Sequence, residues 1–239
     1  MISPTTLSAA QIMALHIQTL YVCDPQARLL TINELGNPPA PRFYLGRTQR
    51  GNQWRFRHDL PSTLVEQLEQ LCQSEPVTTD LRQPPQNYAA IKAVLAEHAP
   101  IAAEYRGPAY WIPKTVQSPS DVTLITAANA ALVRPYFAWL LELDARQSAS
   151  PVVAALVDRC AVSICFCSRI PGQATEAGLE THSDFRRRGY ATAVVAAWAA
   201  ALYQQGCLPL YSTSWENVAS QGVARKLGMV QYGEDWSVG

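Results

Sequence analysis

The sequence predicts an α/β (α+β) protein with a smaller N-terminal domain ahead of a larger C-terminal one, on three observations. Short runs that alternate apolar and polar residues recur along the chain, separated by runs of helical spacing. In the second half a strand-like run, a basic glycine turn and an Ala-rich helical run follow one another directly, at residues 176–203. The chain has 239 residues and is 48% hydrophobic, enough for a sizeable core and a length that suits two modest domains.

Residues 7–20 carry Ile12, Leu15, Ile17 and Leu20 after a Ser8 start, a helical pattern. Residues 41–58 read as a hairpin in which Phe43-Tyr44-Leu45 and Trp54-Arg55-Phe56 flank an Arg50-Gly51-Asn52 turn. Arg42, Arg47, Arg50, Arg55 and Arg57 are interleaved with its aromatics. The expected arrangement puts aromatics on the core face and arginines outside; the alternative is a surface that stacks and pairs with nucleic acid. Pro61-Ser62-Thr63 with Glu66 predicts a capping-box start to a helix bearing Leu64, Leu68 and Leu71. A loop with Pro76, Pro84 and Pro85 leads to a second helix carrying Tyr88, Ile91, Val94 and Leu95, with His98 near its end as a surface residue. Residues 101–112 predict a strand interrupted at Gly107-Pro108, and residues 114–120 a linker.

Beyond the linker, residues 122–125 predict a short strand and residues 129–143 a helix that Pro135 divides or kinks. Residues 152–157 and 161–168 predict a hairpin joined at Asp158-Arg159, with Cys165 and Cys167 on one face as core packing. An alternating strand at 176–181 and a helix at 192–203 complete the pattern. The expected domains are an N-terminal α/β domain over residues 1–115 and a second domain over 120–239.

With 19 Lys+Arg against 19 Asp+Glu the formal charge is zero, which argues against nucleic acid or an anionic membrane as a bulk partner. Cys23, Cys72, Cys160, Cys165, Cys167 and Cys207 form no Cys-x-x-Cys pair and no Cys/His cluster, so they read as reduced thiols of a cytoplasmic protein, with no metal expected. The start Met1-Ile-Ser-Pro lacks the features of a signal peptide, and no apolar run reaches membrane-spanning length.

Chemistry concentrates in Phe185-Arg186-Arg187-Arg188-Gly189-Tyr190-Ala191-Thr192, between strand and helix. A helix N-terminus offers unpaired N–H groups and the positive end of the dipole, so this turn is suited to an anion, best a pyrophosphate. Arg-x-x-Gly-x-Ala here, followed by Tyr211-Ser-Thr-Ser-Trp-Glu-Asn217 and by Val223-Ala-Arg-Lys-Leu-Gly-Met229, resembles the GCN5-related N-acetyltransferase (GNAT) superfamily over roughly residues 120–239. The resemblance implies a mixed, largely antiparallel central sheet flanked by helices, and acetyl-CoA as co-substrate. It assigns the pyrophosphate to Arg186, Arg187, Arg188, Gly189, Tyr190, Ala191 and Thr192, and the pantetheine arm to main-chain groups of Leu179, Glu180 and Thr181 together with Asn217 and Ser220.

The reaction it implies is direct attack of an amine on the thioester. Seven residues after Asn217, where a general-acid tyrosine often stands in the family, this chain has Ala224, and Ser212 stands where some members carry a glutamate. Glu180 is then the first candidate for base, with His182 and Glu216 next, and Tyr211 and Ser214 are candidate donors on the thiolate side. The expected activity is an N-acetyltransferase acting on the primary amine of a small acceptor; the rival reading is a non-catalytic acyl-CoA-binding module. Whether the chain forms a homodimer stays open.

Overall fold

The computed structural model describes residues 7–116, 121–142 and 150–239. Met1 to Pro4, the end of the expected linker (117–120) and Leu143 lie outside the described residues. The class is mixed α/β with mostly antiparallel strands, as expected. Its contacts gather into two compact units that interleave along the chain: one takes residues 5–110, 212–218 and 231–239, the other residues 111–211 and 219–230.

In the first unit, helix α1 (Ala9–Leu20) opens on a capping box, with Ser8 Oγ accepting from the Gln11 amide and the Gln11 side chain accepting from that of Ser8. It buries Ile12, Met13 and Ile17. A two-stranded hairpin, β1 (Tyr21–Cys23) and β2 (Leu29–Ile32), follows. Strands β3 (Phe43–Thr48) and β4 (Gly51–Phe56) form the expected hairpin, but Thr48 pairs with Gly51, so the turn is Gln49-Arg50 and not Arg50-Gly51-Asn52. Thr48 decides the difference: its hydroxyl donates to the Gly51 carbonyl and accepts from the Arg50 amide.

The arginines of the hairpin do not all face outward. Arg42 and Arg47 are 3% and 1% exposed. Arg42 donates to the carbonyls of Leu95, Ala99, Pro100 and Gly239, tying the hairpin to the end of α3 (Tyr88–His98) and to the last strand. Helix α2 (Ser62–Ser74) begins after Pro61 without the expected side-chain cap. With α3 it covers Phe43, Leu45, Phe56, Trp236 and Val238.

Strand β5 (Glu104–Trp111) runs uninterrupted through Gly107-Pro108. Segment 212–218 lies beside it, with the Thr213 amide donating to the Pro108 carbonyl and the Trp215 amide to that of Arg106. Proline costs nothing there because only its carbonyl is used. A Cβ on Gly107 would sit 1.9 Å from the Thr213 carbonyl oxygen, so glycine is what permits the approach. Strand β11 (Val230–Val238) completes the order β4-β3-β11-β5.

In the second unit the order is β10-β9-β8-β7-β6, from β6 (Val122–Ile125), β7 (Val152–Val157), β8 (Cys160–Cys167), β9 (Ala174–Thr181) and β10 (Leu208–Ser212). The β7–β8 turn falls at Asp158 and Arg159, both with positive φ, the twist a two-residue hairpin needs. The helix expected over 129–143 is broken into a 3-10 turn (Ala130–Val133), a single α-turn α4 (Arg134–Phe137) and a further 3-10 turn (Ala138–Glu142). Pro135, which has no N–H and crowds the preceding turn, starts α4 and cannot sit inside a longer helix. Val133 and Phe137 still reach Ala154, Ala161 and Ile164.

Helix α5 (Tyr190–Gln204) spends its Ala-rich surface on the sheet, burying residues 194–199 and Leu202. Helix α6 (Val218–Lys226) ends at Gly228, whose φ of 59° and the bonds Gly228 N–H to Arg225 O and Met229 N–H to Ala224 O form a Schellman close. All six cysteines are free thiols, and Cys165 and Cys167 are buried as expected, burial pushing both up. Among the described residues no helix is long and apolar enough to cross a membrane.

Candidate active site

In the second unit, strand β9 loses one neighbour part-way along its length. Its parallel pairing with β10 spans only Ala174 to Glu176, while on its other edge it stays paired with β8 through Thr181. Residues 177–181 therefore present one main-chain edge without a strand partner among the described residues. An extended amide-bearing ligand can add to such an edge as a further strand would. Leu179, Glu180 and Thr181 lie on it; the Glu180 carbonyl accepts from Ser163 Oγ and the Thr181 carbonyl from Arg186 Nε at 3.2 Å.

The chain then turns through a short 3-10 segment (Ser183–Phe185) into the basic loop. Arg187 has φ 62° and Gly189, the residue capping α5, has φ 89°. Among the described residues, the main-chain N–H groups of residues 187–192 donate to no protein acceptor. Four of these, at 189–192, are the orphans that every helix start leaves; Arg187 and Arg188 add two more ahead of them. A run of N–H donors at a dipole's positive end, with three exposed arginines, fits a diphosphate. Arg188 is held in place by its bond to the Asp184 carbonyl (2.9 Å) and by the Phe185 ring at 5.3 Å, while among the described residues no side-chain bond restrains Arg187.

Glu180 is exposed and makes no ion pair among the described residues. His182 is held differently. Its ring stacks on Tyr136 at 4.0 Å, with Phe185 at 6.0 Å and the Asp184 carboxylate 3.9 Å from Nδ1. Tyr136 was not a sequence candidate, because nothing in the spacing of a broken helix indicates which ring will meet the end of β9. Ser220 is bonded to the Tyr211 hydroxyl, so two candidates expected to face the ligand are occupied with each other. Glu176, buried at the last paired position of β9, is also new; alternation alone had marked it as ordinary strand. Ala224 is buried and offers no acid.

Glu216 and Asn217 belong to the first unit, on segment 212–218, and both are exposed. Asn217 stands beyond β10 in a turn closed by its amide to the Ser214 carbonyl. That turn is fixed from below by Trp215, whose Nε1 donates to Glu234 Oε1 at 2.7 Å. Glu234 is fully buried and also accepts from Arg106 Nη1 (2.6 Å) and Arg47 Nε (2.7 Å). Burial pushes its carboxyl up, against the pull of Arg47, Trp215 and Arg106. No group of three potential metal ligands occurs among the described residues.

A model described as GNAT acetyltransferase matches residues 152–236. No curated protein matches the sequence. Among solved structures the chain is similar to a GNAT-family protein from Novosphingobium aromaticivorans, at 13% identity over 58% of this chain and 65% of that one, TM-score 0.45. It is also similar to a GNAT-family acetyltransferase from Colwellia psychrerythraea (14% identity, 78% and 76%, TM-score 0.47). A GCN5-related N-acetyltransferase from Kribbella flavida gives 18% identity, 63% of each chain and a TM-score of 0.44. The chain thus spans just under two thirds of the first and third of these.

Proposed function

We propose, on the match of residues 152–236 to the GNAT acetyltransferase family, that the protein is an acetyl-CoA-dependent N-acetyltransferase acting on the primary amine of a small acceptor. The observation that carries this reading is the run of undonated N–H groups at 187–192, placed directly after the unpaired edge of β9. In it, the amides of 187–192 with Arg187 and Arg188 hold the diphosphate, and the edge at 179–181 aligns the pantetheine arm. Acetyl-CoA supplies the activated acyl group. The chain's part is to position the two substrates and to take up one proton, which suffices for a thioester. Glu180 takes that proton, since its carboxylate is exposed and unspent; His182, clamped by Tyr136, is the alternate.

The buried Ala224 and the Tyr211–Ser220 bond favour a second reading, an acyl-CoA-binding module without turnover. Calorimetric titration with acetyl-CoA of the wild type and of Arg188→Ala/Gly189→Asp, followed by thiol release against pooled amines, separates the two. Binding that the double variant abolishes, with amine-dependent thiol release, is the expected result. Binding without release leaves the module, and a wild type that does not bind sinks both.

A further inference from the structure

Within the second unit, the free edge of β9 is flanked by aromatic rings that the core does not use. Segment 130–142 covers one face of β7 and β8 with Val133 and Phe137, each 1% exposed, and with Leu140. The other two aromatics of the segment stay half out, Tyr136 at 39% and Trp139 at 38% exposure. Large rings left open beside a core that could have taken them mark a surface kept for a ligand.

Both rings meet the face of the sheet on which Glu180 stands. Phe166 is opposite Gly178 and Ile164 opposite Glu180, and opposed residues of an antiparallel ladder share a face. Ile164 and Phe166 pack with Val133 and Phe137, so Gly178 and Glu180 lie on the face that segment 130–142 covers. The Phe166 ring lies across Gly178, where a Cβ would run into the far edge of the ring, so the glycine gives that ring its place. Trp139 meets Phe166 edge to face, with centroids 5.0 Å apart, and Tyr136 lies on the His182 ring at 4.0 Å. Along β9, Glu180 therefore stands between a Phe166–Trp139 pair at Gly178 and a Tyr136–His182 pair, with its carboxylate exposed and in no ion pair among the described residues.

From this we infer that Tyr136, Trp139 and Phe166 form the wall against which the acceptor lies, and that the acceptor is an arylalkylamine, a primary amine joined to an aromatic ring by a short alkyl chain. Ring faces and edges are met best by another ring, and an ammonium is drawn both to π faces and to the Glu180 carboxylate. A polyhydroxylated amine would set its hydroxyls against carbon without partners, and an amino acid would bring its own carboxylate beside those of Glu180 and Asp184. The inference rests on the acetyltransferase reading for the reaction, though not for the existence of the aromatic site. In that reaction Glu180 takes one proton from the ammonium, the nitrogen bonds the thioester carbon, the C–S bond breaks, and the second proton shed by nitrogen passes to the leaving thiolate. Tyr136, Trp139 and Phe166 are then specificity-determining residues.

The test uses the full chain with 2-phenylethylamine and 2-aminoethanol as probes, read as thiol release from acetyl-CoA. The wild type should favour the aryl amine in kcat/KM by about ten- to a hundredfold, the worth of taking one phenyl ring out of water. Trp139→Leu keeps an apolar contact on Phe166 and removes the indole face; it should bring the ratio toward one, mainly through KM for 2-phenylethylamine, while Trp139→Phe should retain most of it. A wild-type ratio near one, or a ratio unmoved by Trp139→Leu, overturns the inference. The donor is the rival occupant: if Trp139→Leu weakens acetyl-CoA as much as it weakens the aryl amine, the wall serves the donor and the inference fails. Calorimetry of the two amines without CoA keeps the two proposals apart. Binding of 2-phenylethylamine that needs Trp139, in a protein that ignores acetyl-CoA, would uphold the aromatic site and sink the acetyltransferase reading, whereas a protein that binds neither sinks both.

Discussion

Glu234→Gln tests the physics of the buried cluster most directly. The carboxylate has no exposure, accepts Arg47 Nε at 2.7 Å, Arg106 Nη1 at 2.6 Å and Trp215 Nε1 at 2.7 Å, and receives a second bond from Arg47 Nη2. A glutamine keeps the shape but can accept at one atom only, and it leaves two guanidiniums without a counter-charge. Breaking a buried pair in this way costs about 3–5 kcal/mol, because the stranded cation cannot recover its hydration. For a chain of this length about 1 kcal/mol moves the midpoint by about 2–4 °C, so thermal unfolding should fall by about 6–20 °C. Urea titration followed by tryptophan emission gives the free energy independently. The cause is separated by a cycle with Arg47→Met: once the carboxylate is gone, removing one cation relieves part of the penalty, so the double variant should lose about 1–3 kcal/mol less than the singles add to. A loss under about 1 kcal/mol for Glu234→Gln, or strict additivity in the cycle, would refute the argument that the carboxylate is what makes the buried Arg47 tolerable.

Two further outcomes follow from the same unit. Glu104 accepts from Lys92 Nζ at 2.5 Å, Tyr88 Oη at 2.6 Å and Trp236 Nε1 at 3.0 Å. Burial pushes its carboxyl up, but the bonds from Lys92, Tyr88 and Trp236 outweigh it and the group titrates below its usual range, while the bond to Glu104 raises Lys92. A depressed carboxyl stabilises above its unfolded pKa of about 4.3 and loses that contribution as pH falls through the folded value. A raised lysine stabilises below about 10.4 and loses it as pH climbs past. Both side chains are partly exposed, so the pair is worth about 1 kcal/mol; Glu104→Gln should flatten the acid limb of stability against pH and change little at high salt, and an unaltered acid limb would be the contrary result. Gly107→Ala should cost about 3 kcal/mol or more, since its Cβ would meet the Thr213 carbonyl at 1.9 Å and neither backbone can yield alone. Gly172→Ala, with nothing within 4 Å, is the matched control in the same urea assay, and equal effects at the two glycines would contradict the close approach.

What the sequence revealed and what it hid divide by chain separation. Ser8 and Gln11 cap α1 within one turn, Asp158-Arg159 close their own hairpin, and the loop at 187–192 is a left-handed arginine, a positive-φ glycine and a helix start in close succession. Each is decided by neighbours along the chain, so spacing and residue type suffice. The inward turn of Arg42 and Arg47 was not legible, because the groups that satisfy them lie as far away as Gly239 and Glu234, 197 and 187 residues on. A basic residue beside aromatics reads as a surface residue until its carboxylate or carbonyls are located. The division into units was hidden for the same reason: β11 pairs with β3, which draws residues 231–239 to the N-terminal segments instead of to the helix that precedes them. The basic loop is local backbone geometry, and its motif is visible in a single sequence, whereas the Arg82–Trp215–Arg106 stack draws on three separate stretches of chain joined by Glu234, by the bonds of Arg106 to the Arg82 carbonyl and by that of the Trp215 amide to the Arg106 carbonyl.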